Sequence, residues 1–469
     1  MKGFLKRFPV LAHPLDRLVI GLIALLWLVL GLLLIWGDRT QPQVRNFSWA
    51  QESVGAEDTA FTLTFNRAMN WESVAKQIQI SPELPGKTSW SGRRLAYTLT
   101  QPIAYGKSFQ LKLDGATAAS GGTAMPFSTQ FKSRDLAFAY LGINGDEAGR
   151  IILYNLTQNQ KKVLTPANLL VQHFKAYPKG DRILFTASDR SAANPSELNA
   201  KLYKTTTGLA DTAIGQTELV LDNQDYQILK FDLSANGDRI VVQRSARQNA
   251  SETGLWQIRG TDKPEQIQLA NAGDFLIAPD SETLVAAQGK GLALVPLEKQ
   301  SQTTADKPLD FLPQFGMVLN FAKDGSAATM VKFNTDYTRS LFLVSNQEKP
   351  RELLRTSGSI LSTSFTAQRD TLYCLLTRLI TGKDYQEQPF IAKIDLKTGQ
   401  PSELLTLPIQ RNVTLSLAPD GSQILFDQGT AASGASAQST QANIWALTLA
   451  DAKPSPKVIA VGTEPQWLP

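Results

Sequence analysis

Six stretches of this chain repeat one pattern, and that repeat limits the fold more than any single motif does. FKAYPKGDRILF begins at Phe174, FDLSANGDRIVV at Phe231, FLIAPDSETLVA at Phe275, LNFAKDGSAATM at Leu319, TSFTAQRDTLYC at Thr363 and LSLAPDGSQILF at Leu415. The intervals are 57, 44, 44, 44 and 52 residues. In each unit an alternating run meets a turn such as PDG or NGD, where Gly or Asn accepts positive φ cheaply. A second apolar run follows, such as RILF. A third comes after a variable loop (IILYNLT 151–157, LWQIR 255–259, FIAKIDL 390–396), and a fourth closes the unit (KKVLT, RELLRT). One such sheet cannot bury both faces. Sheets of this period stack around an axis, as in a propeller.

The ends of the repeat fit that architecture. The region opens with LAFAYLG (136–142), which matches a second strand, and finishes with PQWLP (465–469), which matches the start of a first strand. The first blade is expected to take its innermost strand from the C-terminus, with Trp467 in the slot of Phe174. That join hides sheet edges. Six complete first strands plus the last one predict about seven four-stranded blades over residues 134–469, in an all-β fold. The pattern resembles the TolB-like P-D-G propeller repeats, relatives of the WD-repeat class. Pro419-Asp420-Gly421 matches fully, Pro279-Asp280 lacks the glycine, and TAQRD (366–370) has lost the motif, which leaves the blade count open by one.

Residues 18–37, LVIGLIALLWLVLGLLLIWG, contain no charge. A helix of that length spans roughly 30 Å, the thickness of a bilayer core. Lys2, Lys6, Arg7 and Arg17 precede it, so residues 1–17 are expected in the cytoplasm and the bulk of the chain in the periplasm or outside. A cleaved signal peptide competes with this signal anchor. The apolar run is long for an h-region and no A-x-A site follows it. No cysteine follows closely either, which excludes a bacterial lipoprotein. The basic head holds most of the net charge of +5, so the pI near 9.0 is no sign of nucleic-acid binding.

Between anchor and repeat, residues 41–133 alternate in short runs: FTLTF (61–65), LAYTL (95–99) and FQLKL (109–113). Turn-formers separate them, which predicts a β-sandwich. FTLTFNRAMNWESV (61–74), IQISP (78–82), YTLTQPIAYGKSFQLKLDG (97–115) and FSTQFKSRD (127–135) resemble the bacterial Ig-like domain of the SbsA type, with a corner at Thr100 to Gly106. The resemblance implies a spacer or adhesion module. Met69 and Trp71 are expected in core or turn packing rather than as a ligand platform.

No catalytic, cofactor or metal constellation stands out. His13 and His173 are the two histidines, and His173 is expected to be a packed or rim residue. No G-x-S-x-G elbow, P-loop or zinc spacing occurs. NGDEAG (144–149) reads as an ordinary turn, and Cys374 as an inert buried thiol. Asp232 and Lys175 are the charged candidates expected to be exposed on inner strands, without a partner of like spacing. Long polar loops at 189–200, 247–254 and 428–442 would share one face with the connections between blades. The expectation is a non-catalytic scaffold whose loop face binds a protein or glycan partner. The alternatives are a glycosidase- or lyase-like enzyme working at the central channel, and a structural part of a larger envelope complex.

Overall fold

The computed structural model describes residues 14–35, 41–50, 52–192, 197–209, 213–249, 251–298, 310–380, 382, 385–410, 412–430, 441–450 and 455–469. Beyond Gly31 the apolar N-terminal helix, Pro14–Ile35, is described by its backbone alone, as it is before Leu18. From Leu18 to Leu30 its side chains are exposed, Trp27 among them. Among the described residues no helix is long and apolar enough to cross a membrane. Of the expected cytoplasmic head, residues 1–13 lie outside the described residues, and the helix begins at Pro14, inside that head.

The regular structure that follows is almost all strand. A sandwich comes first. One sheet pairs Val44–Phe47, Ala60–Phe65, Arg94–Leu99 and Gly86–Ser91 in that order. The other pairs Ser53–Val54, Phe127–Ser133, Ser108–Leu113 and Ile78–Ser81. Alternation decides which side chains meet: Phe61, Leu63 and Phe65 face in from one sheet, Phe109, Leu111 and Leu113 from the other. Met69 is in this core. Trp71 is not. It starts the short helix Trp71–Gln77, after the Asn70 cap, and is 68 % exposed. The expectation of packing fails for Trp71 because the first helical turn points it away from both sheets.

Among the described residues seven four-stranded antiparallel sheets follow. They are numbered here as blades 1 to 7. The inner strands of blades 2 to 7 are Leu169–Ala176, Tyr226–Leu233, Ala272–Ile277, Met317–Phe321, Ile360–Phe365 and Leu415–Leu417. Blade 1 holds Ala137–Leu141, Ile151–Asn155 and Gln160–Val163, and its inner strand is Thr463–Trp467 from the C-terminus. The register corrects one detail. The N–H that closes the turn after each inner strand belongs to Tyr177, Ser234, Ala278, Ala322, Thr366, Ala418 and Leu468. Counting back three, Pro465 occupies the slot of Phe174, and Trp467 lies two residues further along. Trp467 pairs with Phe138 where Ala176 pairs with Ile183.

The turn itself tolerates loss of its motif. Gly180, Gly237, Gly325 and Gly421 sit at φ between 67° and 78°. Ser281 and Arg369 hold the same left-handed place at 62° and 56°. Blades 4 and 6 therefore keep the turn at some backbone strain.

The second strands read as continuous apolar runs because both their faces are buried. In RILF, Ile183 and Phe185 pack toward blade 1, while Leu184 packs toward blade 3. Seven apolar clusters result, each shared by two adjacent blades. The seventh joins blade 7 (Leu425, Ile444) to blade 1 (Phe138, Tyr140, Trp467), so the stack returns on itself.

Candidate functional site

The inner strands touch one another around the axis, and one slot on each does the joining. Two residues before the turn-closing N–H stand Gln466, Lys175, Asp232, Leu276, Asn320, Ser364 and Ser416, in blades 1 to 7. Gln466 Nε2 donates to Phe174 O of the next blade at 2.9 Å. Lys175 pairs with Asp232. Asp232 Oδ2 accepts the Ile277 N–H at 2.8 Å. Asn320 Nδ2 donates to Thr363 O at 2.7 Å, and Ser416 Oγ accepts from Trp467 N at 3.0 Å. Five of the seven junctions thus carry a hydrogen bond from the same slot; junctions 4–5 (Leu276) and 6–7 (Ser364) show none among the described residues. Asp232, expected to be exposed, is 3 % exposed, because a carboxylate here bridges a cation and a backbone amide. Lys175 and Asp232 are each other's partner.

A second tier lies two residues earlier. His173 Nδ1 is 3.8 Å from Glu464 Oε1, and Lys230 pairs with Asp274. The imidazole is 59 % exposed. The charged groups gather on blades 1 to 4, while blades 6 and 7 offer Ser362, Ser364, Thr414 and Ser416. The Asp427 carboxylate, on the second strand of blade 7, accepts N–H bonds from Thr414 (2.7 Å) and Glu464 (2.9 Å). Burial pushes its pKa up against those bonds. Among the described residues no His, Cys, Asp and Glu group could hold a metal ion.

The two ends of the ring differ. Strand direction puts the turns after inner strands at one end, and the loops after second strands at the other with the blade connections. The sandwich occupies the first end. Tyr105 N approaches Asp420 Oδ2 of the PDG turn at 3.5 Å, and Gly106 lies against Thr157. Tyr105 Oη accepts from Ala56 N, and burial pushes the phenol up to about 12. Lys323, in the blade 5 turn, faces the Glu57–Arg134 ion pair; crowding by protein holds its ammonium below the usual lysine value, with Glu57 opposing.

The opposite end is apolar at its surface. Phe333, Tyr337, Leu361, Leu379, Tyr385 and Ile409 are exposed there, all on blades 5 to 7 or their connections. Leu198 and Leu229 join them on blades 2 and 3. In the turns at the sandwich end, among the described residues, only Leu209 and Ile214 are comparable. Tyr337 is 92 % exposed and sits at φ 65°, where a bulky residue is an outlier that points to function. Tyr385 is 75 % exposed and bonds Glu387, which Thr377 and Ser359 also hold. Arg339 and Arg355 stand beside them, Arg355 paired with Asp336. Sequence reasoning looked to the long loops on blades 2, 3 and 7 at this same end. Residues 431–440 of the last loop lie outside the described residues. The available signal was a Tyr at a hairpin tip, in NTDYT (334–338).

Elsewhere the placements are plain. NGDEAG forms a turn with a short 3-10 helix at Gly145–Glu147. Cys374 is buried and its thiol is pushed up to about 12. A cavity of about 80 Å³ lies between blade 1 (Asn155, Gln160, Lys162) and blade 2 (Thr207, Leu209), away from the axis.

No family model matches the chain, and no curated protein does. Among solved structures it is similar to an oligogalacturonate lyase from Vibrio parahaemolyticus (10 % identity, 69 % of this chain and 95 % of that one, TM-score 0.45). TolB from Acinetobacter baumannii gives 10 % identity, 85 % and 84 % coverage and 0.42. Hydrazine synthase from Kuenenia stuttgartiensis gives 10 %, 62 %, 86 % and 0.40. Likenesses this distant carry no argument about activity; the seven sheets stand on their own pairing and packing.

Proposed function

We propose that this protein is a non-catalytic, membrane-anchored binding platform in the periplasmic or extracellular compartment. The uncharged apolar segment 18–37 is the anchor to the bilayer in this reading, with the N-terminus cytoplasmic. The sandwich, as an Ig-like spacer of the SbsA type, stands between membrane and ring. The closed TolB-like propeller presents its far face to a protein or glycan partner. One observation carries the reading: exposed apolar and aromatic side chains collect on the end the sandwich leaves free. Tyr and Arg on a rigid face are the residues that anchor partners.

The test is a crosslinking pull-down from intact cells with full-length bait, a Tyr337→Ala/Tyr385→Ala bait, and the anchor plus sandwich alone. A discrete protein or glycoconjugate taken by the first bait only supports the platform. Equal capture by all three removes it. The second reading, an enzyme at the axis, draws on the grouping of His173, Glu464, Lys175 and Asp232. It requires turnover of a polysaccharide that Asp232→Asn abolishes.

A further inference from the structure

Arg244 is a buried cation without an anion. It lies on the second strand of blade 3, Arg239–Ala246, between Ile228 and Gly254 of the flanking strands. It is 8 % exposed. A charged side chain is almost never buried this far unless it is paired. Among the described residues Arg244 has no salt bridge and no hydrogen bond, and its Nε is buried with no partner at all.

Its two neighbours are rings. The guanidinium carbon is 4.5 Å from the Tyr226 centroid and 4.4 Å from the Trp256 centroid. The rings are 5.2 Å apart and tilted by 60°. The three groups form a near-regular triangle, with the guanidinium in the notch between the rings. Such stacking fixes the plane of an arginine and leaves its N–H edge unused. Gly254, directly across the ladder, puts no side chain over that notch. Asp222 is near enough to act electrostatically but makes no ion pair. Burial pulls the guanidinium below its usual value, and Tyr226 and Asp222 offset this only in part.

We infer that Arg244, held by Tyr226 and Trp256, is a binding site for an oxyanion, the carboxylate or phosphate of a small ligand, at the loop end of blade 3. The five donors of a guanidinium match such a group as a fork. This site is independent of the aromatic face on blades 5 to 7. Neither Tyr337 nor Tyr385 enters it, and it stands or falls separately.

The experiment uses the full chain in detergent. Succinate and inorganic phosphate are titrated at constant ionic strength, with chloride as control, while tryptophan emission is followed. Trp256 is in contact with the cation, so binding is expected to change emission saturably, with a midpoint on the order of millimolar for one charged fork. Which anion saturates first distinguishes the two sources. Arg244→Met should abolish the response, and Arg244→Lys should weaken it at least tenfold, about 1.4 kcal/mol. In the wild-type chain the same anion should slow dicarbonyl labelling of Arg244, a readout that needs no variant to fold. No saturable response to either anion, or no protection from labelling, overturns the proposal, as does a response that survives in Arg244→Met.

Discussion

Substituting Trp467 tests whether the last strand holds the ring shut. Trp467 is 6 % exposed, packs edge-on to Phe138 at 5.6 Å and shares a cluster with Leu425 and Ile444. Removing a buried tryptophan costs about 3–5 kcal/mol in transfer and cavity terms. One feature lowers that figure: Nε1 is buried without a partner, a penalty of about 1–3 kcal/mol that disappears with the indole. Trp467→Ala should therefore destabilise by about 3 kcal/mol. Trp467→Phe keeps most of the packing and removes the orphan N–H, so it should fall within about 1 kcal/mol of wild type. The assay is urea unfolding of residues 41–469, followed by near-ultraviolet dichroism. Val458→Ala, on the exposed outer strand of blade 7, is the control. A Trp467→Ala midpoint equal to the control would refute the closing role. Equal losses for Ala and Phe would refute the account of the N–H.

Asp427 has a raised folded pKa, so its protonated form is the one folding favours; that contribution is complete below the unfolded value near 3.8 and is lost as pH rises through the folded value. The difference in urea midpoint between wild type and Asp427→Asn should change across that window and be flat above it; a difference that is flat throughout sinks the idea. Cys374, with its thiol pushed up to about 12, should resist iodoacetamide at pH 8 in the native protein and react once unfolded. Tyr337→Asn should relieve backbone strain of about 1 kcal/mol and raise the melting temperature while weakening partner capture; a lower melting temperature contradicts the strain argument. Among the described residues, junctions 4–5 and 6–7 show no hydrogen bond from the joining slot, a bond worth about 0.5–1.5 kcal/mol. Amides of Met317–Phe321 and Ile360–Phe365 should exchange roughly tenfold faster than those of Tyr226–Leu233, and equal rates would deny the weak seams.

The repeat was legible because each blade solves the same burial problem with the same alternation. Phe174, Phe231 and Phe275 announce an inner strand locally, and LAFAYLG announces a second strand with no first. Register was harder. PQWLP offers one large residue, and matching Trp467 to Phe174 by size was off by two, because Pro465 takes the Phe slot through a strand irregularity before Gln466. Ser281 and Arg369 hid a left-handed turn that the neighbouring blades impose on residues that would not choose it. The site was least legible. Lys175 and Asp232 are 57 residues apart and meet only through ring geometry. Leu361, Leu379 and Ile409 read as ordinary strand and loop residues until the ring brings their ends to one face.

The weak seams and the aromatic face coincide, and the coincidence has a physical consequence. Blades 5 and 6 are joined to each other by Asn320 to Thr363 O and by the Thr329–Thr363 hydroxyl contact at 2.6 Å. Their outer junctions, at Leu276 and Ser364, have apolar packing but no bond from that slot. The pair is thus tied within itself and held more loosely to its neighbours. Apolar contacts are non-directional and tolerate small sliding, whereas a hydrogen bond fixes one register. Phe333, Tyr337, Leu379 and Tyr385 all ride on this pair. A partner docking there meets a face that is rigid internally yet adjustable against blades 4 and 7. On the other side of the same unit Lys323 lies within electrostatic range of the Glu57–Arg134 pair of the sandwich. The ring is in this respect an unequal support: blades 1 to 4 are locked by charge at the axis, and the exposed aromatic face sits where that lock is absent.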